Sequence, residues 1–185
     1  FYYNIDPITA IDDLIEISNP KPNEKTVFVW PEGILPGIFQ DQLFKFHRIF
    51  QNHFNENHFL IIGINSKIFE EGLEKYFNSL SIYDHNLNLL DKYNKINLVP
   101  FGEFLPLEKR FKKVGLKTLT NNYQSYSKGD KRNIIKINHN DFSLRLLPLI
   151  CYEIIYSGRI FTHTNFDFII NISEDGWFGQ SVGPK

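Results

Sequence analysis

The chain has one cysteine, no methionine and two tryptophans in 185 residues. A single thiol excludes an internal disulfide framework and says nothing firm about redox compartment. Charge of one sign is also lacking. Twenty Lys and Arg stand against 21 Asp and Glu, a formal net charge of -1, so bulk charge points to no nucleic-acid partner. No apolar run approaches the roughly 18 residues that cross a bilayer as a helix, and no secretory leader is visible. This segment is expected to be soluble as it stands. Met is missing even at position 1, so the chain reads as a piece of a longer protein. Repeats and low-complexity linkers are absent too. What is present is an ordinary apolar fraction of 42% with 18 Phe, which excludes a disordered chain. The length suits one domain with a sizeable core, and residues 1–185 are taken as that domain.

The pattern along the chain alternates helices and strands, with hairpins between. "DPITAIDDLIEIS" places Ile8, Ile11, Leu14 and Ile15 on one helical face, with Asp6-Pro7 as its start. "TVFVW" reads as a buried strand that stops at Pro31. Phe39, Leu43, Phe46, Phe50 and Phe54 recur at helical spacing, and "HFLIIGI" is the next strand. "NSLSIYD" and "LNLLDKY" flank the polar corner Asp84-His85-Asn86 as a hairpin. Residues 104–130 form a long excursion of weak periodicity, a kind of loop that is often functional. "NIIKIN" and "FSLRLLPLI" make a second hairpin. A helix from about Glu153 to Phe161 and a last buried strand, "FDFIINIS", follow. Such a series predicts an α/β fold with mixed sheets.

Four segments place reactive polar residues just past an apolar strand: "VFVWPEG", "YNKINLVPFGEF", "PLICYE" and "NISEDGWFG". Strand ends are where α/β folds assemble sites from distant chain segments. The groups on offer are the Glu32 carboxylate, the Lys95 amine and the Cys151 thiol. Together they suit acyl transfer. A thiol is only partly ionised at neutral pH, a neighbouring carboxylate can take its proton, and an ammonium can stabilise the oxyanion that forms. A helix starting after Cys151 would favour the thiolate further. None of the six histidines has metal-ligand spacing, and none lies in the four segments, so no metal is expected. Each residue taken alone has a plainer reading. A lone buried cysteine is more often structural, Glu32 could simply open a helix after Pro31, and Lys92 competes with Lys95.

Read together, the motifs carry a resemblance. Glu32 in "WPE", Lys95 in "YNK" and Cys151 in "CYE" resemble the Glu–Lys–Cys triad of the carbon–nitrogen hydrolase (nitrilase) superfamily. The fuller wording "KYNKINLVPFGEFLPL", "LICYEI", "NISEDGWFG" and "SVGPK" is similar to the periplasmic domain of the apolipoprotein N-acyltransferases, over most of the chain from about Asp6. The resemblance implies a nitrilase-type α-β-β-α sandwich, incomplete here at both termini. It implies Cys151 as a nucleophile that takes an acyl chain from a phospholipid as a thioester, Glu32 as its base, and Lys95 as oxyanion partner. Glu103 would help hold the lysine, Tyr152 and Glu153 would support the nucleophile, and Trp177 would face substrate. The acceptor implied is the α-amine of a diacylglyceryl apolipoprotein, at the bacterial inner membrane facing the periplasm, with membrane attachment through the parent protein. The resemblance implies no cofactor, and no nucleic-acid partner is expected. Glu174 stands where that family has Asn.

Two other readings stay open on the residues. One is a soluble amidase of the same superfamily with water as acceptor, and the other is a non-catalytic fragment that binds lipid or lipoprotein. The stretch "LEKRFKKVGLK" gathers Lys109, Arg110, Lys112, Lys113 and Lys117 among apolar residues. It is either a solvated basic face or a lid that touches anionic headgroups.

Overall fold

The computed structural model of the chain describes residues 6–106, 125–156 and 165–174. Its first element, α1 (Pro7–Ser18), begins where the sequence places it. Asp6 accepts the Thr9 N–H at 3.2 Å, and Pro7 opens the helix where its missing N–H costs nothing. Asn19 closes α1 in the left-handed region. Ile11 and Ile15 are buried, whereas Ile8 is largely exposed, so the buried stripe starts one turn later than expected.

Strand β1 (Thr26–Trp30) leads into a crossover and then β2 (His58–Glu70), which pairs with β1 in parallel from Thr26↔His58 to Trp30↔Ile62. The crossover is not the single helix that the Phe39–Phe54 spacing suggests. A 3₁₀ helix (Gln40–Phe46) runs into a short α2 (His47–Gln51). The stretch is rich in Phe and His, poor helix formers without an Ala-rich or Leu-rich backbone to offset them. Leu43, Phe50 and Phe54 are buried all the same.

β2 and β3 (Leu73–Asp84) form a long antiparallel ribbon closed by Glu71-Gly72, both at positive φ, the geometry of a two-residue type I′ turn. The ribbon extends well beyond the "HFLIIGI" and "NSLSIYD" segments. β4 (Leu89–Asn94) completes the hairpin expected around Asp84-His85-Asn86, whose corner is held by Asp84 Oδ1 accepting the Asn86 and Asn88 N–H groups at 2.9 Å. The sheet order is β1-β2-β3-β4. A second sheet, ordered β5-β6-β7, contains β5 (Ile135–Asn138), β6 (Ser143–Ile150) and β7 (Phe168–Ile172). β6 is antiparallel to β5 and parallel to β7. Pro148 is tolerated inside β6 because β5 reaches only as far as Leu146, which leaves one side of β6 unpaired there.

Alternation along β2 sorts the core into layers. Leu60, Ile62 and Ile64 face α1 and the crossover, packing with Ile11, Ile15, Trp30, Leu43 and Phe50. Phe59 and Ile61 face the second sheet, with Leu80 and Ile82 from β3 against Ile135, Ile137, Leu146 and Ile150. Burial on both faces explains why β2 reads as a continuous apolar run. β1 and β7 are edge strands and are not fully buried as expected: Val29 is 46% and Phe168 56% exposed. Helix layer, sheet and sheet are thus in place. No helix of the outer fourth layer lies among the described residues. No helix among them is long and apolar enough to cross a membrane.

Candidate active site

Four strand exits supply the site. Glu32 lies two residues past β1, Lys95 directly follows β4, Cys151 directly follows β6, and Ser173 and Glu174 follow β7. Glu32 reaches its place because β1 exits tightly against β2. A Cβ on Gly63 would stand 2.3 Å from the Pro31 carbonyl oxygen and 2.5 Å from the Glu32 Cα, so only glycine fits there.

Lys95 is 1% exposed and lies between two carboxylates. Its Nζ donates to Glu103 Oε1 at 3.0 Å and to Glu32 Oε1 at 3.3 Å. Burial alone would pull the pKa of this amine down, but Glu32 and Glu103 outweigh it and hold the ammonium above its ordinary value. The backbone fixes the lysine as well: its N–H donates to the Asn78 carbonyl and its carbonyl accepts from Gly129, both at 2.9 Å. Glu103 sits in a tight turn, where Oε2 accepts the Val99 N–H at 2.8 Å and its own N–H returns to the Val99 carbonyl at 2.9 Å.

Asn78 is a member that sequence reasoning missed. From the middle of β3 its Nδ2 donates to Glu32 Oε1 at 2.6 Å and to Glu103 Oε1 at 2.8 Å. One signal was available. Asn78 shares the inward face of Leu80 and Ile82 by strict alternation, and a polar group there needs partners.

Cys151 is half-buried and has φ 54, a left-handed conformation that costs a non-glycine residue about 1–3 kcal/mol. Burial first, and the Glu32 charge second, raise its thiol pKa. Lys95, the Ser173 side chain and the Tyr152 N–H work in the other direction without reversing the shift. The helix expected from about Glu153 is instead a single 3₁₀ turn, Cys151–Ile155, and residues 157–164 lie outside the described residues. So short a turn has little macrodipole, and the helix-terminus contribution expected for the thiolate falls away. The β6 strand ends so abruptly that the thiol emerges at the start of this turn.

Glu153 is completely buried and ties the thiol's neighbourhood to the lysine's. Its Oε2 accepts the Ile150 N–H at 3.0 Å, just before Cys151. Its Oε1 accepts the Ile96 and Asn97 N–H groups at 3.0 Å, just after Lys95. The Tyr93 hydroxyl donates to it at 2.7 Å and Arg132 at 3.0 Å.

Of the other expected residues, Tyr152 is 45% exposed beside the thiol. Trp177 and the basic stretch at 109–117 lie outside the described residues. Glu174, the departure from the family's Asn, meets the site through its backbone: its N–H donates to Glu32 Oε2 at 3.2 Å, a contact that does not depend on its side chain. Lys92, the alternative lysine, lines a polar surface cleft with Asp130 and Lys131 and is not hydrogen-bonded to the site carboxylates.

Comparison with known proteins bears on the family and the fold. The carbon-nitrogen hydrolase family model matches residues 14–185. The chain is 35% identical to an apolipoprotein N-acyltransferase of Wigglesworthia glossinidia brevipalpis, covering 94% of the chain and 34% of that relative. It is 30% identical to one from Rhizobium etli, covering 89% and 30%. The chain therefore spans about a third of the length of the curated relatives it matches. Among solved structures, a carbon-nitrogen hydrolase from Helicobacter pylori superposes with a TM-score of 0.57 at 14% identity, over 90% of this chain and 54% of that one, a likeness of fold. Two mixed sheets packed face to face, a helix layer outside the first, and a family match that runs through every strand exit at the site place this chain in the carbon–nitrogen hydrolase family.

Proposed function

We propose that this chain is the catalytic domain of an apolipoprotein N-acyltransferase, facing the periplasm from the bacterial inner membrane. Its reaction moves a fatty acyl chain from a phospholipid to the α-amine of a diacylglyceryl-cysteine lipoprotein. The observation that carries the reading is Lys95, buried between Glu32 and Glu103 and electrostatically coupled to Cys151. The similarity to the two acyltransferases supports this reaction over hydrolysis of a soluble amide.

In the first half-reaction the Cys151 sulfur attacks the ester carbonyl carbon and the thiol proton passes to Glu32. Two of the three Lys95 N–H bonds are taken by the carboxylates, and the third meets the oxyanion. The carbon–oxygen bond to glycerol then breaks. The lysophospholipid leaves with the proton from Glu32, and a thioester remains on Cys151. In the second half the acceptor amine attacks the thioester, the carbon–sulfur bond breaks, and the amine's proton returns to the thiol by way of Glu32. Glu103 and Asn78 hold Lys95 and Glu32 in register. Tyr152, the next residue in the chain, is 45% exposed beside the thiol, and the family resemblance gives Trp177, outside the described residues, a substrate-facing role.

The test is intact-mass analysis of the full-length parent protein after incubation with phospholipid. An acyl adduct that hydroxylamine removes and that is absent in Cys151→Ala is expected. A full-length protein that is active in membranes yet never carries the adduct refutes the scheme. An adduct formed from a short soluble amide, and none from phospholipid, would move the reading to an amidase.

A further inference from the structure

Arg132 belongs to none of the motifs that point to the site, yet its side chain is 9% exposed and ends inside the cross-link beneath it. Its Nη2 donates to Glu153 Oε1 at 3.0 Å and to the Tyr93 hydroxyl at 3.1 Å, and its guanidinium lies 5.5 Å from the centre of the Tyr93 ring. Glu153 in turn receives the N–H groups of Ile150, Ile96 and Asn97. Those three donors immediately precede Cys151 or immediately follow Lys95. Lys95 sits on the exit of the first sheet and Cys151 on the exit of the second, with no strand pairing between them. Glu153 is thus the side chain that hydrogen-bonds both exits, and among the described residues Arg132 is the one guanidinium that touches both Glu153 and the tyrosine it shares.

We infer that Arg132 is a positioning residue, which clamps Glu153 and Tyr93 so that the Lys95 ammonium is held at working distance from the Cys151 sulfur. The inference rests on Cys151 as the nucleophile of the proposed reaction. It does not require Arg132 to touch substrate. A guanidinium suits this place better than an ammonium would. Nη2 reaches Glu153 and the Tyr93 hydroxyl together while the rest of the rigid, planar group lies 5.5 Å from the centre of the Tyr93 ring, whereas an ammonium on a flexible stem supplies a point charge alone.

Thiol titration separates positioning from mere stabilisation. The charged and polar groups acting on the Cys151 thiol are Glu32, Lys95, the Ser173 side chain and the Tyr152 N–H, and Lys95 is the only cation among those causes. If the ammonium drifts away, the thiolate loses its cationic partner and the pH midpoint of Cys151 alkylation moves upward. The experiment measures iodoacetamide alkylation of the chain against pH for wild type, Arg132→Lys and Arg132→Met, with thermal melting alongside. Expected are midpoints raised by about half a pH unit or more in both variants. In the full-length enzyme, kcat should fall about tenfold with KM for the acyl donor little changed. Lowered melting with an unmoved midpoint would reduce Arg132 to a stabilising residue and overturn the proposal. A midpoint that moves in Arg132→Met and stays in Arg132→Lys would assign the effect to charge alone and would overturn it as well. Should Arg132→Met fail to fold, Arg132→Lys decides. A wild-type enzyme that forms no thioester would sink the proposed reaction, while the alkylation midpoints would still report the clamp.

Discussion

Gly63→Ala isolates the geometry on which Glu32 depends. On strand grounds alone this change should stabilise the protein, since Gly in a strand interior is worse than Ala by about 0.5–1 kcal/mol. Gly63 has no positive φ that would penalise a side chain. The contacts reverse the sign. The added Cβ would lie 2.3 Å from the Pro31 carbonyl oxygen, 2.5 Å from the Glu32 Cα and 2.7 Å from the Glu32 nitrogen, all of them backbone atoms. To restore an ordinary contact of 3.4 Å, the Pro31–Glu32 backbone has to withdraw by roughly 1 Å. Overpacking of this kind costs about 1–3 kcal/mol. The same displacement pulls Glu32 Oε1 from Asn78 and Lys95, which now hold it at 2.6 and 3.3 Å. A misplacement near 1 Å lowers the rate of a positioned reaction by about 10²-fold. The assay is acyl transfer by the full-length enzyme, normalised to folded protein by circular dichroism, with urea unfolding in parallel. Loss of activity well beyond the loss of folded protein is expected. Wild-type activity together with raised stability would refute the reasoning, because it would show that Glu32 does not need the close exit of β1.

Other perturbations address single contacts. Asn78→Ala leaves Glu32 and Glu103 without their shared donor, and should cost about 1–3 kcal/mol in urea unfolding and lower kcat; unchanged kcat would remove Asn78 from the site. Lys95→Met should abolish thioester formation in intact-mass analysis, while Lys92→Met should stay within about twofold of wild type, since surface charges away from a site contribute little; equal effects would deny Lys95 its special role. The Cys151 thiol binds its proton more tightly in the folded chain than in the unfolded one, so its contribution to stability is complete below the unfolded thiol pKa and is lost as pH rises through the folded value. Cys151→Ser, which does not titrate in that range, should therefore flatten the alkaline decline in urea stability; a decline of unchanged slope would refute the shift.

How much of this was legible in sequence follows from how local each cause is. β2 could be read because burial on both faces requires an unbroken apolar run. α1 could be read because Asp6 and Pro7 act within one turn. The crossover misled because spacing fixes which side of the segment is buried without fixing the type of helix. Leu43 and Phe50 are buried as expected on a backbone that is largely 3₁₀. The length of the β2–β3 ribbon was missed although Glu71-Gly72 marks its turn. Beyond Ser66 the ribbon has exposed residues such as Phe69 and Leu73 that give no clean alternation. At the site, Glu32, Lys95 and Cys151 stood out because each closely follows an apolar strand, whereas Glu103 and Glu153 came only through the resemblance of their motifs to the family's. Arg132 carried no local mark. Its importance arises from contacts 21 and 39 residues away in sequence.

The charges of the site constrain the order of events around the thiol. Glu32, Lys95 and Glu103 form a buried group of two carboxylates and one ammonium, already one negative charge in excess if both carboxylates are ionised. A resting thiolate would add a second uncompensated negative charge to a half-buried place, and burial and Glu32 accordingly push its pKa upward. A nucleophile here is stored as a thiol and has to lose its proton as it attacks. In the proposed reaction, transfer from sulfur to Glu32 would leave the total charge of the cluster unchanged, and the negative charge would pass through the sulfur to the oxyanion facing Lys95. The raised thiol pKa is therefore compatible with nucleophilic catalysis only if a base stands close by, and Glu32 is one of the charges the thiol feels directly. The same balance gives a role to the second carboxylate. With Glu32 alone, its protonation would leave the ammonium paired only with the charge moving from sulfur to oxyanion. In the proposed reaction Glu103 remains a fixed carboxylate partner of Lys95 through the whole cycle.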